Sequence, residues 1–101
     1  MAVEVKDNPG EHRFDITTDG ELGGHADYRE RPGLIAFVHT EIDDRFEGQG
    51  LGSRLVHDAL EEARSRELAV LPFCPFVNAY VQRHPEYADL VPPEHRERFG
   101  L

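Results

Sequence analysis

The sequence predicts an α+β fold: an antiparallel meander, then a parallel strand pair joined by a helical crossover, all in one domain. Three observations carry this. Up to Ile42, strand-like segments alternate with turn residues. After Gly50 the apolar spacing changes from a period of two to a period near 3.6. A short apolar run follows that helix, and strand, helix, strand in this order means a parallel pair with a right-handed crossover.

Each element has a local reason. Glu11 to Thr17 alternate, with Phe14 and Ile16 on one face, and Thr18-Asp19-Gly20 closes the segment. Glu21 to Arg29 read as its hairpin partner, where Gly23-Gly24 invites a bulge or a slip of register. Arg31-Pro32-Gly33 is a turn, and Leu34 to Val38 is a continuous apolar run suited to a strand buried on both faces. That strand continues through His39, Thr40, Glu41 and Ile42. Leu51, Leu55, Val56, Ala59, Leu60 and Ala63 form the stripe of a helix, with Arg54, Asp58, Glu61, Glu62 and Arg66 on its wet face. Leu68 to Phe73 read as a strand and Phe76 to Arg83 as a second helix, stopped at His84-Pro85 because the residue before proline avoids helical angles. Residues 1–10 and 92–101 are expected to be loosely ordered, with at most one charged helical turn from Pro92 onward.

Composition narrows the class. A chain of 101 residues supports one modest core, and a monomer or weak homodimer is expected. With 20 acidic and 11 basic residues the net charge is -9, the pI about 5.0 and the mean hydropathy -0.57. Clustered cations for phosphate neutralisation are missing, which argues against nucleic acid and against an anionic membrane surface. No apolar window is long enough for a span and the start lacks a leader pattern, so a cytoplasmic location is expected. The single cysteine, Cys74, excludes an internal disulfide and a multi-cysteine metal site. His12, His25, His57, His84 and His95 form no metal-binding pattern, so no metal is expected.

The predicted topology puts the C-terminal ends of Leu34–Ile42 and Leu68–Phe73 on one sheet edge, where ligands bind in such sheets. The loop Asp43–Gly50 leaves one end and Cys74 follows the other. Glu47-Gly48-Gln49-Gly50-Leu51-Gly52-Ser53 opens the long helix. Glycines at alternate positions expose successive N–H groups, and the helix adds its own free N–H groups and the positive end of its dipole. Such a nest binds a pyrophosphate without lysine, which reconciles anion binding with an acidic chain. The plainer alternative is a sharp strand-to-helix connector. It is not a Walker loop, since no Gly-Lys-Ser/Thr follows, nor the dinucleotide fingerprint G-x-G-x-x-G.

Here the sequence resembles the GCN5-related N-acetyltransferase family. Gly48-Gln49-Gly50-Leu51-Gly52 is similar to the second part of its acetyl-CoA signature, Arg/Gln-x-x-Gly-x-Gly/Ala, with Glu47 standing where Arg or Gln is usual and Arg45 two residues earlier. Val38-His39-Thr40-Glu41-Ile42 and Pro72-Phe73-Cys74-Pro75-Phe76-Val77, followed by Tyr80 and Arg83-His84-Pro85-Glu86-Tyr87, resemble the small single-domain YjdJ-type members over roughly Arg13 to Val91. The resemblance implies acetyl-CoA (coenzyme A) as co-substrate between two splayed strands. Pantetheine would pair with backbone around Glu41, Ile42 and Asp43, and pyrophosphate would sit on Gly48, Gln49, Gly50, Leu51, Gly52 and Ser53. Asn78 and Tyr80 would line the other side, with the thioester between His39 and Cys74.

Cys74 has two readings, a thiol activated at a helix start or a small buried hydrophobe. On a pleated strand His39 shares a face with Ile35 and Phe37, so it is either a core histidine or a base of suitable reference pKa, about 6.5. Tyr80 and Tyr87 are phenols able to protonate a leaving thiolate, Tyr87 reading better as a structural plug. The leading expectation is an acetyl-CoA-dependent N-acetyltransferase with an amine acceptor, a cationic one suiting the acidic surface. The competing one is a non-catalytic acyl-CoA-binding or regulatory module.

Overall fold

The computed structural model describes residues 2–101. Its five-stranded sheet runs in chain order: β1 (Val3–Asn8), β2 (Arg13–Thr18), β3 (Glu21–Arg31), β4 (Leu34–Ile42) and β5 (Ala69–Pro72). The first four are antiparallel neighbours, and β4 and β5 are parallel. Helix α1 (Leu51–Ser65) is the crossover, and α2 (Pro75–Arg83) follows β5. A 3-10 stretch (Pro85–Leu90), a short α3 (Pro93–Arg96) and a final turn complete the chain.

One face of the sheet makes the main core. Phe14 and Ile16 of β2, Ala26 and Tyr28 of β3, and Ile35 and Phe37 of β4 meet the stripe of α1 and Val77 and Val81 of α2. Full burial of a Leu or Val side chain is worth roughly 1.5–3 kcal/mol. The stripe of Leu55, Val56, Ala59, Leu60 and Ala63 is therefore what holds the helix. Behind β4 and β5 a smaller cluster joins Leu71, Val91 and Phe99 to Leu34, Ala36 and Leu101.

Both chain ends differ from the expectation of loose termini. Val3 to Asn8 pair with Thr18 to Arg13, which makes the meander four strands instead of three. Asp7 anchors this edge strand by accepting from Tyr28 Oη at 2.6 Å and Arg66 Nη2 at 2.8 Å. At the other end, Phe99 is buried and its carbonyl accepts from Asn78 Nδ2 and Gln82 Nε2. These partners lie far off in sequence, so neither end shows its order locally.

Two bulges shape the sheet. Ile16 pairs with Gly24 but Thr17 with Leu22, leaving Gly23 as the extra residue of β3, at the glycine pair where a bulge was expected. Asp27 pairs with His39 but Tyr28 with Phe37, leaving Val38 as the extra residue of β4. An extra residue reverses which side of the sheet every later side chain faces. Before it, Ile35 and Phe37 face the helices. After it, Thr40 and Ile42 do.

Candidate active site

β4 and β5 pair only from Leu34–Ala69 to Phe37–Pro72, and a last backbone bond joins Cys74 N–H to Phe37 O at 2.8 Å. Beyond that point the strands part. The β4 segment from Val38 to Ile42 keeps β3 on one side, while its other edge is open. Asp43 N–H donates to Gly23 O at 2.8 Å, so antiparallel alternation turns the backbone groups of Glu41 and Asp43 toward β3. The same alternation aims those of Thr40 and Ile42 into the open wedge.

Across the wedge, Thr40 Oγ1 lies 3.3 Å from Cys74 Sγ. Cys74 is the N-cap residue of α2 and is 3% exposed, so the thiol forms the floor of the wedge. Thr40 is a site residue that sequence reasoning missed. With an unbroken pleat it points away from Cys74, and only the Val38 bulge turns it inward.

The glycine loop borders the same opening. A 3-10 turn (Asp44–Phe46) leads to Glu47, and Gly48 and Gly50 take left-handed backbone angles, φ 83° and 76°. Gly50 is the N-cap residue of α1, and the first bond into the helix runs from Arg54 N–H to Gly50 O. Among the described residues, the N–H groups of Gly48, Gly50, Leu51, Gly52 and Ser53 have no protein partner. They meet a groove of about 300 Å³ walled by Ile42, Glu47, Ser53 and Phe76. Gly52 has a separate duty. A Cβ there would stand 2.7 Å from Cζ of Phe76, so any larger residue must displace that ring.

These features fit the coenzyme's chemistry: anion-binding N–H groups at the head of a 15-residue helix, and an unpaired strand edge for an amide-containing arm. Residues 13–90 match the GCN5-related N-acetyl-transferase family model. The chain belongs to the GCN5-related N-acetyltransferase family. Among solved structures it is similar to Ard1 from Thermoplasma volcanium, with a TM-score of 0.50 and 22% identity over 58% of this chain. It spans 40% of that chain, and the likeness is one of fold. No curated protein matches it.

Several residues expected at the wedge stand elsewhere. His39 does not face Cys74. The bulge puts it on the outer face of the sheet, with its side chain 56% exposed. There it meets Glu41, His25 and Asp27. Asn78 does not line the wedge, because its amide donates to Phe99 O at 3.0 Å and its carbonyl accepts from Gln82 at 2.6 Å. Tyr80 lies on the buried face of α2, six residues and so about 9 Å along the axis from Cys74. It stacks on His84 at 4.1 Å, and burial pushes its phenol pKa up, which keeps it a proton donor. Tyr87 donates to Glu61 at 2.6 Å, as suits a structural plug.

Arg45 does not replace the basic residue usual before the glycines. Its guanidinium is held by Asp43 at 3.1 Å and Glu21 at 3.1 Å, and that pairing lowers the Asp43 carboxyl pKa. Glu47 is exposed at the groove wall, and Gln49 N–H is spent on Phe46 O at 3.3 Å. The Leu51 side chain is buried, so it offers the groove only its backbone.

Proposed function

We propose that this chain transfers an acetyl group from acetyl-CoA to an amine. The observation that carries the reading is the pairing of free N–H groups on the Gly48–Ser53 turn with the open Thr40–Ile42 edge of β4, both on one wedge. When bound, the coenzyme supplies an activated acetyl thioester. The N–H groups from Gly48 to Ser53 hold its pyrophosphate, with Gln49 contributing chain geometry in place of a donor. Thr40 and Ile42 backbone groups hold the arm.

Cys74 and Thr40 form the floor at the thioester end, where the thiol touches the acetyl group. At 3% exposure this thiol suits contact better than the role of an acyl carrier. The acceptor approaches from the outer face, where His39 takes its proton as general base. The acceptor's class follows from the surface: 20 acidic against 11 basic residues favour a cationic amine by steering.

The test is calorimetric titration of coenzyme A, then acetyl-CoA turnover with an amine panel followed by free thiol release. Micromolar or tighter binding with amine-dependent thiol release supports the transferase. Binding without any such release leaves a coenzyme A-binding module, and absence of binding overturns both.

A further inference from the structure

The outer face of the sheet carries a line of groups that the acetyl-CoA wedge does not use. His25 Nδ1 lies 2.9 Å from Asp27 Oδ1, and its Nε2 lies 3.3 Å from Glu41 Oε2. The other oxygen of Glu41 is 3.6 Å from His39 Nε2. The two imidazole rings are 6.4 Å apart. All four residues share the face because β3 and β4 set Asp27 opposite His39 and His25 opposite Glu41. His25 is the enclosed member, its side chain 18% exposed against 56% for His39. On β2, Asp15 stands opposite His25 and Arg13 opposite Asp27, and these two pair with each other at 2.7 Å.

We propose that Asp27, His25 and Glu41 are positioning residues that set His39 as the base for the acceptor amine, so that the amine is deprotonated on the opposite face of the sheet from Cys74. This rests on the acetyltransferase reading above. Glu41 lies at ion-pair distance from His39 Nε2, and Nδ1 is the ring nitrogen with no partner among the described residues. His25 holds the second oxygen of Glu41, and Asp27 fixes the His25 ring through Nδ1. A carboxylate beside one ring nitrogen holds the orientation of the imidazole.

The proton balance is complete. The acceptor arrives as an ammonium, and His39 Nδ1 takes one proton from it. The freed lone pair forms the C–N bond while the thioester C–S bond breaks and its electron pair stays on sulfur. The remaining excess N–H proton ends on that sulfur, and His39 returns its proton to solvent. The backbone groups that grip the coenzyme face the wedge, so the two substrates meet across one strand.

The test uses the full chain with acetyl-CoA and two probe amines, spermidine and a lysine-rich peptide. For Glu41→Gln, kcat/KM for the amine falls at least tenfold, KM for acetyl-CoA stays within twofold, and the acid limb of the pH profile moves. For His25→Gln, which keeps a donor to Glu41, kcat/KM for the amine falls less than in Glu41→Gln. Titration of the imidazole resonances by NMR in the free protein reads the change at His39 without turnover. Asp27→Asn serves as a second variant if either glutamine variant melts early, and it weakens the His25 hold in the same direction as His25→Gln.

Variants that lower the melting temperature while leaving both the limb and the His39 titration unmoved reduce the cluster to sheet packing and overturn this inference alone. A wild-type chain that binds coenzyme A but acetylates neither probe overturns the transferase reading, and this chain of contacts with it.

Discussion

Gly50 is where the chemistry of this chain is most local. Its φ of 76° is a conformation that side chains with a Cβ rarely adopt, and nothing stands within 4 Å of where that Cβ would be. A bulky group there projects into the open space beside the nest. Gly50→Val is expected to keep α1 formed, since the stripe of α1 is untouched, and to weaken coenzyme A binding at least tenfold, or about 1.4 kcal/mol. Calorimetry on the variant checks this, and unchanged affinity makes the loop a connector. Cys74 asks a different question, because its burial gives it a packing role as well. Cys74→Ala is expected to cost on the order of 1–3 kcal/mol of stability and to leave coenzyme A binding within a few-fold. Single-turnover transfer per folded molecule should still fall, because the floor under the acetyl group is lost. A destabilised variant with full transfer would remove Cys74 from the site. Mass spectrometry of the wild type during turnover should show no acetylated Cys74.

The wedge belongs to β4 and α2 as elements. Val38 has no glycine or proline beside it, yet it is the residue that turns Thr40 into the wedge and His39 out of it. The bulge ends the pairing with β5, because the reversed edge no longer matches a regular parallel ladder. Gly52 and Phe76 set the width of the mouth. Phe76 is 39% exposed and its ring tip is the atom a new Cβ would meet, so the ring has room to swing outward. Gly52→Ala is therefore expected to cost under about 1 kcal/mol of stability while moving Phe76 off the groove wall. Coenzyme A affinity should drop roughly three- to tenfold. Equal affinity would show that Phe76 is not part of the binding wall.

For the whole molecule, two buried phenols tie distant elements together. Tyr28 of β3 donates to Asp7 of β1, and Tyr87 after α2 donates to Glu61 of α1. Burial first, and then the carboxylate partner, raises the pKa of both phenols far above that of an exposed tyrosine. The unfolded chain releases these protons near pH 10 and the folded chain retains them. The contribution is fully present below about pH 10 and is lost as pH rises through the higher folded values. Urea titrations at pH 8, 10 and 11 should show stability falling only above pH 10, with a shallower decline in Tyr87→Phe. A decline of equal slope in that variant would move the cause elsewhere. Among the described residues no helix is long and apolar enough to cross a membrane.

The residues themselves determined the elements whose cause is local. The 3.6 spacing from Leu51 to Ala63 marked α1, the alternating glycines marked the nest, and His84-Pro85 marked the end of α2. Strand–helix–strand order then implied the parallel pair and brought Cys74 beside β4. Tertiary structure alone decided the rest. Val3–Asn8 is a strand because Thr18 to Arg13 and Tyr28 receive it, and the tail is ordered because Asn78 and Gln82 hold Phe99. His39 and Thr40 exchanged faces at a single extra residue. A pleat has a period of two, so one unpaired position inverts every side chain beyond it, and that position is chosen by how two whole strands fit together.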